Sequence, residues 1–165
     1  MKSNANYKSV GGVESCTLYP ADAVTTALFS CEGCEIELSG TAIEVPLLDD
    51  ASEYEECSQM EVGATLISHR LHLVAERNEA KSWLNDRFLE RAYTEGFVAV
   101  ISLCDGHRLL AGYSAQFGDE QPLRLESLTS TSGTSLNETP SVTLRLISQD
   151  TEFSRRFFKG PISSL

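Results

Sequence analysis

The dipeptide Asp105-Gly106 separates two β-rich runs, Gly96 to Cys104 and His107 to Ser114, and it limits what this chain can fold into more than any other feature. A type I′ turn needs positive φ at both central residues, which Asp and Gly tolerate, so the pattern predicts a two-residue β-hairpin. In that register Cys104 faces His107, Ile101 faces Leu110 and Val98 faces Tyr113, so apolar side chains line both faces of the ribbon. Such a ribbon belongs in the interior of a sheet that is covered on both sides.

Other strand patterns surround it. Val13 to Tyr19 alternates, with Val13, Ser15, Thr17 and Tyr19 on one face, and Pro20 to Val24 reads as a turn or a single helical turn. Glu35–Leu38 and Ala42–Leu47 read as a strand pair joined at Ser39-Gly40, with Glu35, Glu37 and Glu44 on its wet face. Pro46 cannot donate to a ladder, so the second strand belongs at a sheet edge. Asp49 to Gln59 reads as a polar loop. Met60 to Ala75 then alternates again, with Thr65, Ile67, His69, Leu71, Leu73 and Ala75 on one face. One amphipathic helix is predicted over about 79–93, with Asn78 as N-cap, Gly96 past its end, and an apolar stripe of Ala80, Leu84, Phe88 and Ala92 aided by Trp83 and Leu89. A last pair, Pro122–Leu128 and Ser141–Ser148, flanks a long loop from Thr129 to Thr139. The pattern as a whole predicts a mainly β (α+β) fold: an antiparallel β-sandwich or barrel with one flanking helix.

A chain of 165 residues is the size of one domain. Residues 1–10 are polar and read as a flexible arm, 11–165 as a single β-rich domain, and 150–165 as its C-terminal tail. Within the tail, Arg155, Arg156, Phe157 and Phe158 set aromatics among cations, which suits docking on the chain's own fold or contact with a neighbouring subunit. No run approaches the ~18 apolar residues of a membrane span. The polar start lacks the apolar core of a signal peptide, and five scattered cysteines suit a reduced compartment, so synthesis in the cytoplasm is expected.

The net charge of −11 is segregated along the chain. Twelve acids and no Lys or Arg lie between Ser9 and His69, whereas the remainder holds twelve acids and thirteen bases. Binding to nucleic acid is driven by cations that neutralise phosphates, so this distribution argues against it. An acidic sector suits a basic partner, a cation, or a surface past which DNA slides; a solvated face that aids solubility is the plainer reading.

Catalytic and metal-binding patterns are weak. Cys31-Glu-Gly-Cys34 has the spacing of half a zinc site, but its only partners by spacing, His69 and His72, lie three apart on a strand and point to opposite faces. His69 reads as a hydrogen-bonded core histidine and His72 as exposed. Asp49, Asp50, Glu53, Glu55 and Glu56 match no calcium loop. No nucleophile elbow or phosphate-binding glycine loop occurs. The reading is non-enzymatic, with no cofactor and no metal.

Asp105-Gly106-His107-Arg108-Leu109-Leu110-Ala111-Gly112, then Gln121-Pro122-Leu123-Arg124-Leu125, Ser132-Gly133 and the late strand Val142-Thr-Leu-Arg-Leu together resemble small structural proteins of prophage-like regions in Bacteroides and related bacteria, of the tail-tube or tail-completion kind. The opening Gly-Gly-Val and Tyr-Pro-Ala-Asp are similar to them as well. The resemblance implies subunits that self-associate through sheet edges and arms, or with other virion-type proteins, in a phage-like particle. It also implies a lumen-facing role for Glu35, Glu37 and Glu44 and subunit contacts by the 155–158 tail. The alternative from the residues alone is a stand-alone β-barrel or sandwich module that binds a protein or a small ligand.

Overall fold

A computed structural model describes residues 11–30, 33–49, 51–150, 152–153 and 155–158. The expected N-terminal arm, residues 1–10, and Cys31 lie outside the described residues. The chain forms β1 (Val13–Pro20), β2 (Val24–Phe29), β3 (Cys34–Leu38), β4 (Ile43–Val45), β5 (Glu53–Glu61), β6 (Ala64–Glu76), α1 (Arg77–Ala80), α2 (Asp86–Thr94), β7 (Phe97–Leu103), β8 (Arg108–Ala111), β9 (Arg124–Thr131), β10 (Ser141–Asp150) and β11 (Arg155–Phe158). These strands make a seven-stranded sheet in the order β2-β3-β11-β8-β7-β1-β4 and a four-stranded sheet in the order β5-β6-β10-β9. The fold is mainly β and largely antiparallel, with one parallel pairing of β11 on β3. Among the described residues strands β2 and β4 remain unjoined edges, so the sheet is not a closed barrel.

The main core lies between the two sheets. Cys16, Leu18, Val45, Ala99 and Ile101 from the larger sheet meet Leu71, Leu73, Val142, Leu144 and Leu146 from the smaller one. The alternation read from Met60 to Ala75 holds from Ile67 onward, where every second residue is buried, whereas Thr65 is exposed and Met60 belongs to β5, before the turn. Ala80, Trp83, Phe88 and Ala92 close one end of the same core. The larger sheet also has a second apolar cluster on its opposite face, where Val98, Val100 and Leu110 meet Cys34, Ile36 and Phe157. That contact requires the sheet to curl, since β3 lies three places from β7 in the strand order. The central ribbon is therefore covered on both faces, as its sequence predicts.

Its register differs from the two-residue expectation. The pairs are Ile101 with Leu109, Val100 with Leu110 and Ser102 with Arg108, and Leu103 N–H donates to the His107 carbonyl at 2.8 Å. Cys104, Asp105 and Gly106 form a three-residue loop in which Gly106 has positive φ, +91°, and donates its N–H to the Leu103 carbonyl at 3.0 Å. Two contacts explain the extra residue. Cys104 N–H donates to the Gly12 carbonyl at 3.1 Å instead of to the ladder, and Asp105 Oδ1 accepts from His107 N–H at 2.9 Å. A type I turn ending in one left-handed glycine then suffices.

Three further expectations are corrected. The predicted helix over about 79–93 is two helices, because the Asn85 side chain accepts from Phe88 N–H at 2.9 Å and starts a new helix, so Asn85 and not Asn78 is the cap. The stripe still faces inward, and Gly96, at φ +76°, ends α2 as expected. Glu35, Glu37 and Glu44 do not share a hairpin. Strand β3 pairs with β2 and β11 while β4 pairs with β1, because Ser39 N–H donates to the Ala23 carbonyl and leads the chain away from its own return. Finally, the polar loop expected at 49–59 is largely β5, whose partner strand begins after a turn at Val62-Gly63. An edge strand can carry acids on its wet face, which hides its alternation.

Candidate functional site

The curl of the larger sheet leaves a groove of about 870 Å3 on the concave side. Its floor is built by alternation: Cys16 and Leu18 of β1 face the main core, so Ser15, Thr17 and Tyr19 face the groove. Val100 and Ser102 of β7 continue the floor, and Arg108 stands opposite Ser102 in the register. Ile36 and Leu38 of β3 form the facing wall, with Phe157 of β11 between. Arg108 Cζ lies 5.3 Å from the Phe157 ring centroid, a cation–π contact that holds the guanidinium at the groove while leaving its N–H groups unblocked.

The polar groups of this surface differ from those elsewhere. Thr25 Oγ1 donates to the Glu37 carbonyl and Thr26 Oγ1 to the Glu37 carboxylate, so the β2 hydroxyls are committed. Among the described residues, the hydroxyls of Ser15, Thr17, Tyr19 and Ser102 form no hydrogen bond and Arg108 no ion pair. Four free hydroxyls and one cation thus line this surface together with the apolar side chains of Ile36, Leu38, Val100 and Phe157, while Thr25, Ser39 and Glu37 border it with groups already hydrogen-bonded within the fold.

The acidic residues singled out in the sequence are dispersed. Glu35 and Glu37 alternate with inward Cys34 and Ile36 and lie on the convex side of β3. Glu44 pairs with Thr17, so it lies on the concave side at the β4 edge. The Arg155–Phe158 segment is β11, inside the sheet between β3 and β8, and Phe157 is 5% exposed. Of the two expectations for the tail, docking on the chain's own fold or contact with a neighbouring subunit, Phe157 meets the first.

Glu53 and Glu55 of β5 stand opposite His72 and Arg70 of β6, and Arg145 of β10 stands beside His72. With Glu126 they line a shallow depression of about 200 Å3 on the outer face of the smaller sheet. His72 is half-buried there rather than exposed. His69 is a buried core residue as expected: Tyr54 O–H donates to Nδ1 at 2.7 Å, and Nε2–H donates to the Glu152 carbonyl at 3.0 Å. Ser148, its cross-strand neighbour, donates its hydroxyl to the Gln121 carbonyl at 2.7 Å, so these groups hold the sheet end together rather than align for proton transfer. Cys34 is buried, Cys16 is buried with its thiol pushed up to about 12 by desolvation, and no group of three or more possible metal ligands occurs among the described residues.

The four-stranded sheet is marked at both ends. Strand β10 stops at Asp150, opposite Ile67, whereas the rungs Gln59–Leu66, Met60–Thr65 and Glu61–Ala64 continue as a two-stranded ribbon. Three rungs at about 3.4 Å per residue carry the ribbon ~10 Å past its neighbour. Met60 is 84% exposed near its tip and Val62 fully exposed in its turn. At the opposite end, the loop between β9 and β10 displays a fully exposed Leu136.

No family model, curated protein or solved structure matches this chain. No helix among the described residues is long and apolar enough to cross a membrane.

Proposed function

We propose that this protein is a non-enzymatic assembly subunit that associates with copies of itself through the two ends of its four-stranded sheet. The observation that carries this reading is the β5–β6 ribbon, which holds Met60 and Val62 in water beyond the body of the fold. Apolar side chains gain roughly 1.5–3 kcal/mol each on full burial, and none of the described residues covers Met60 and Val62. Leu136 at the other end supports a head-to-tail contact, since two different patches at opposite ends of one element generate rings or stacks. The resemblance of the central hairpin and late strand to tail-tube and tail-completion proteins agrees with this reading and proposes virion-type neighbours.

Light scattering of the full chain over a wide concentration range tests it. The expected result is a defined oligomer or tube that Met60→Glu with Val62→Glu converts to monomer while circular dichroism is unchanged. A wild-type monomer at every concentration, or oligomers indifferent to both substitutions, would overturn it.

The concave groove favours a second reading, a module that binds a small ligand. Its volume falls within the ~300–1,000 Å3 of small-molecule sites, and its lining sets hydroxyls and one guanidinium beside apolar side chains, groups that can orient a ligand.

A further inference from the structure

We infer that the concave groove takes a small organic anion with an apolar body, its carboxylate, sulfonate or phosphate placed on Arg108. The inference rests on the ligand-binding reading of the groove and is independent of the assembly contact. Among the described side chains Arg108 is the cation that lines this surface, in a protein with thirteen basic residues against twenty-four acids. Its guanidinium presents a planar fork of donors that matches an oxyanion, and the Phe157 ring beneath it orders that fork in advance. Ser102, its cross-strand partner, offers a free hydroxyl at the same end. Along β1 the hydroxyls of Ser15, Thr17 and Tyr19 recur every second residue, about 7 Å apart. The half-buried Leu38 of the facing wall, with the edges of the buried Ile36 beside it and of Val100 in the floor, supplies the apolar surface on which a hydrocarbon or aromatic body rests.

The carboxylate on the facing strand does not compete for Arg108. Glu37 touches the rim of the groove, but its side chain alternates away from Ile36 and accepts from Thr26 Oγ1 at 3.1 Å. An anion entering the groove therefore meets an unpaired cation and hydroxyl donors without displacing an internal salt bridge.

Calorimetric titration of the full chain with decanoate, 1-decanol and sulfate tests the inference. Decanoate should bind at one site about tenfold more tightly than decanol or sulfate, because only it uses both the apolar wall and the charge-assisted bonds. Arg108→Gln should lower decanoate affinity about tenfold and leave decanol affinity unchanged, and Arg108→Lys should restore part of the loss. Retained decanol binding also reports that the variant is folded. Equal affinity of decanoate and decanol, or of wild type and Arg108→Gln for decanoate, overturns the anion assignment while the groove remains a binding site. Absence of binding by decanoate and decanol alike overturns both.

Discussion

Gly112 sits at the point where the two sheets are tied together, and no other residue type fits there. Phe97 and Leu123 exchange two backbone hydrogen bonds, at 2.8 and 2.9 Å, joining the start of β7 to the segment that enters β9. A Cβ on Gly112 would lie 2.6 Å from the Phe97 carbonyl oxygen, and its φ of +87° is left-handed. Gly106, at φ +91°, faces open space. Gly106→Ala should therefore cost only the left-handed penalty of about 1–2 kcal/mol, whereas Gly112→Ala should cost roughly 3 kcal/mol or more because the backbone must also move. Denaturant unfolding of the two variants checks the ranking, and equal losses would mean that the junction is looser than its contacts imply. A second residue-scale expectation concerns pH. Glu138 accepts from Thr134 N–H at 2.6 Å and from Thr134 Oγ1 at 3.2 Å, and these bonds hold its carboxyl below the usual glutamate range. A pKa lowered on folding stabilises the loop contact above the unfolded value, and that contact is lost as pH falls through the folded one. The Thr134 amide resonance should titrate with a midpoint below that of an unfolded glutamate and become flat in Glu138→Gln. A midpoint in the ordinary range would contradict the bond.

At the scale of elements, the informative case is the segment between β6 and β7. Its apolar stripe was legible because i, i+4 spacing survives a break of one turn, so Ala80, Phe88 and Ala92 are buried whether the helix is continuous or not. The break itself depends on a choice between two asparagines, each followed by residues that suit a helix start. Asn85 makes the capping bond and Asn78 lies within α1. Asn85→Ala should cost about 1 kcal/mol, and Asn78→Ala should stay within about 0.5 kcal/mol. Thermal unfolding checks both, and the reverse ranking would favour one continuous helix. The same limit applies to β5, whose acids at 53, 55 and 56 resemble a loop until β6 is laid beside it.

At the scale of the whole molecule, charges far apart in the chain become neighbours. The acids of β5 belong to the stretch that lacks any base, yet they stand next to Arg70, His72 and Arg145 on one face. Residual repulsion from the net −11 still opposes association of copies. Oligomers formed through the apolar ribbon should therefore strengthen between 0.1 and 1 M salt, as the Debye length falls from ~10 to ~3 Å; the same scattering experiment at both concentrations reads this, and dissociation at high salt would point instead to a contact made by opposite charges. Periodicity and turn chemistry, which act between residues close in sequence, determined the mainly β class, the buried face of β6, the helical stripe and a central ribbon covered on both sides. Only tertiary structure decided which strands β3 and β4 adopt as partners, where the β5–β6 ribbon outruns β10, and how the sheet curls into a groove. Arg108 shows the reason most directly. In the two-residue register it would oppose Leu103 and share the face of the main core, and the Gly12 carbonyl that takes Cys104 N–H from the ladder moves it to the other side. A contact between residues ninety-two apart in the chain, added to the local Asp105–His107 bond, thus sets the face on which this cation stands, and the distant contact leaves no local pattern to read.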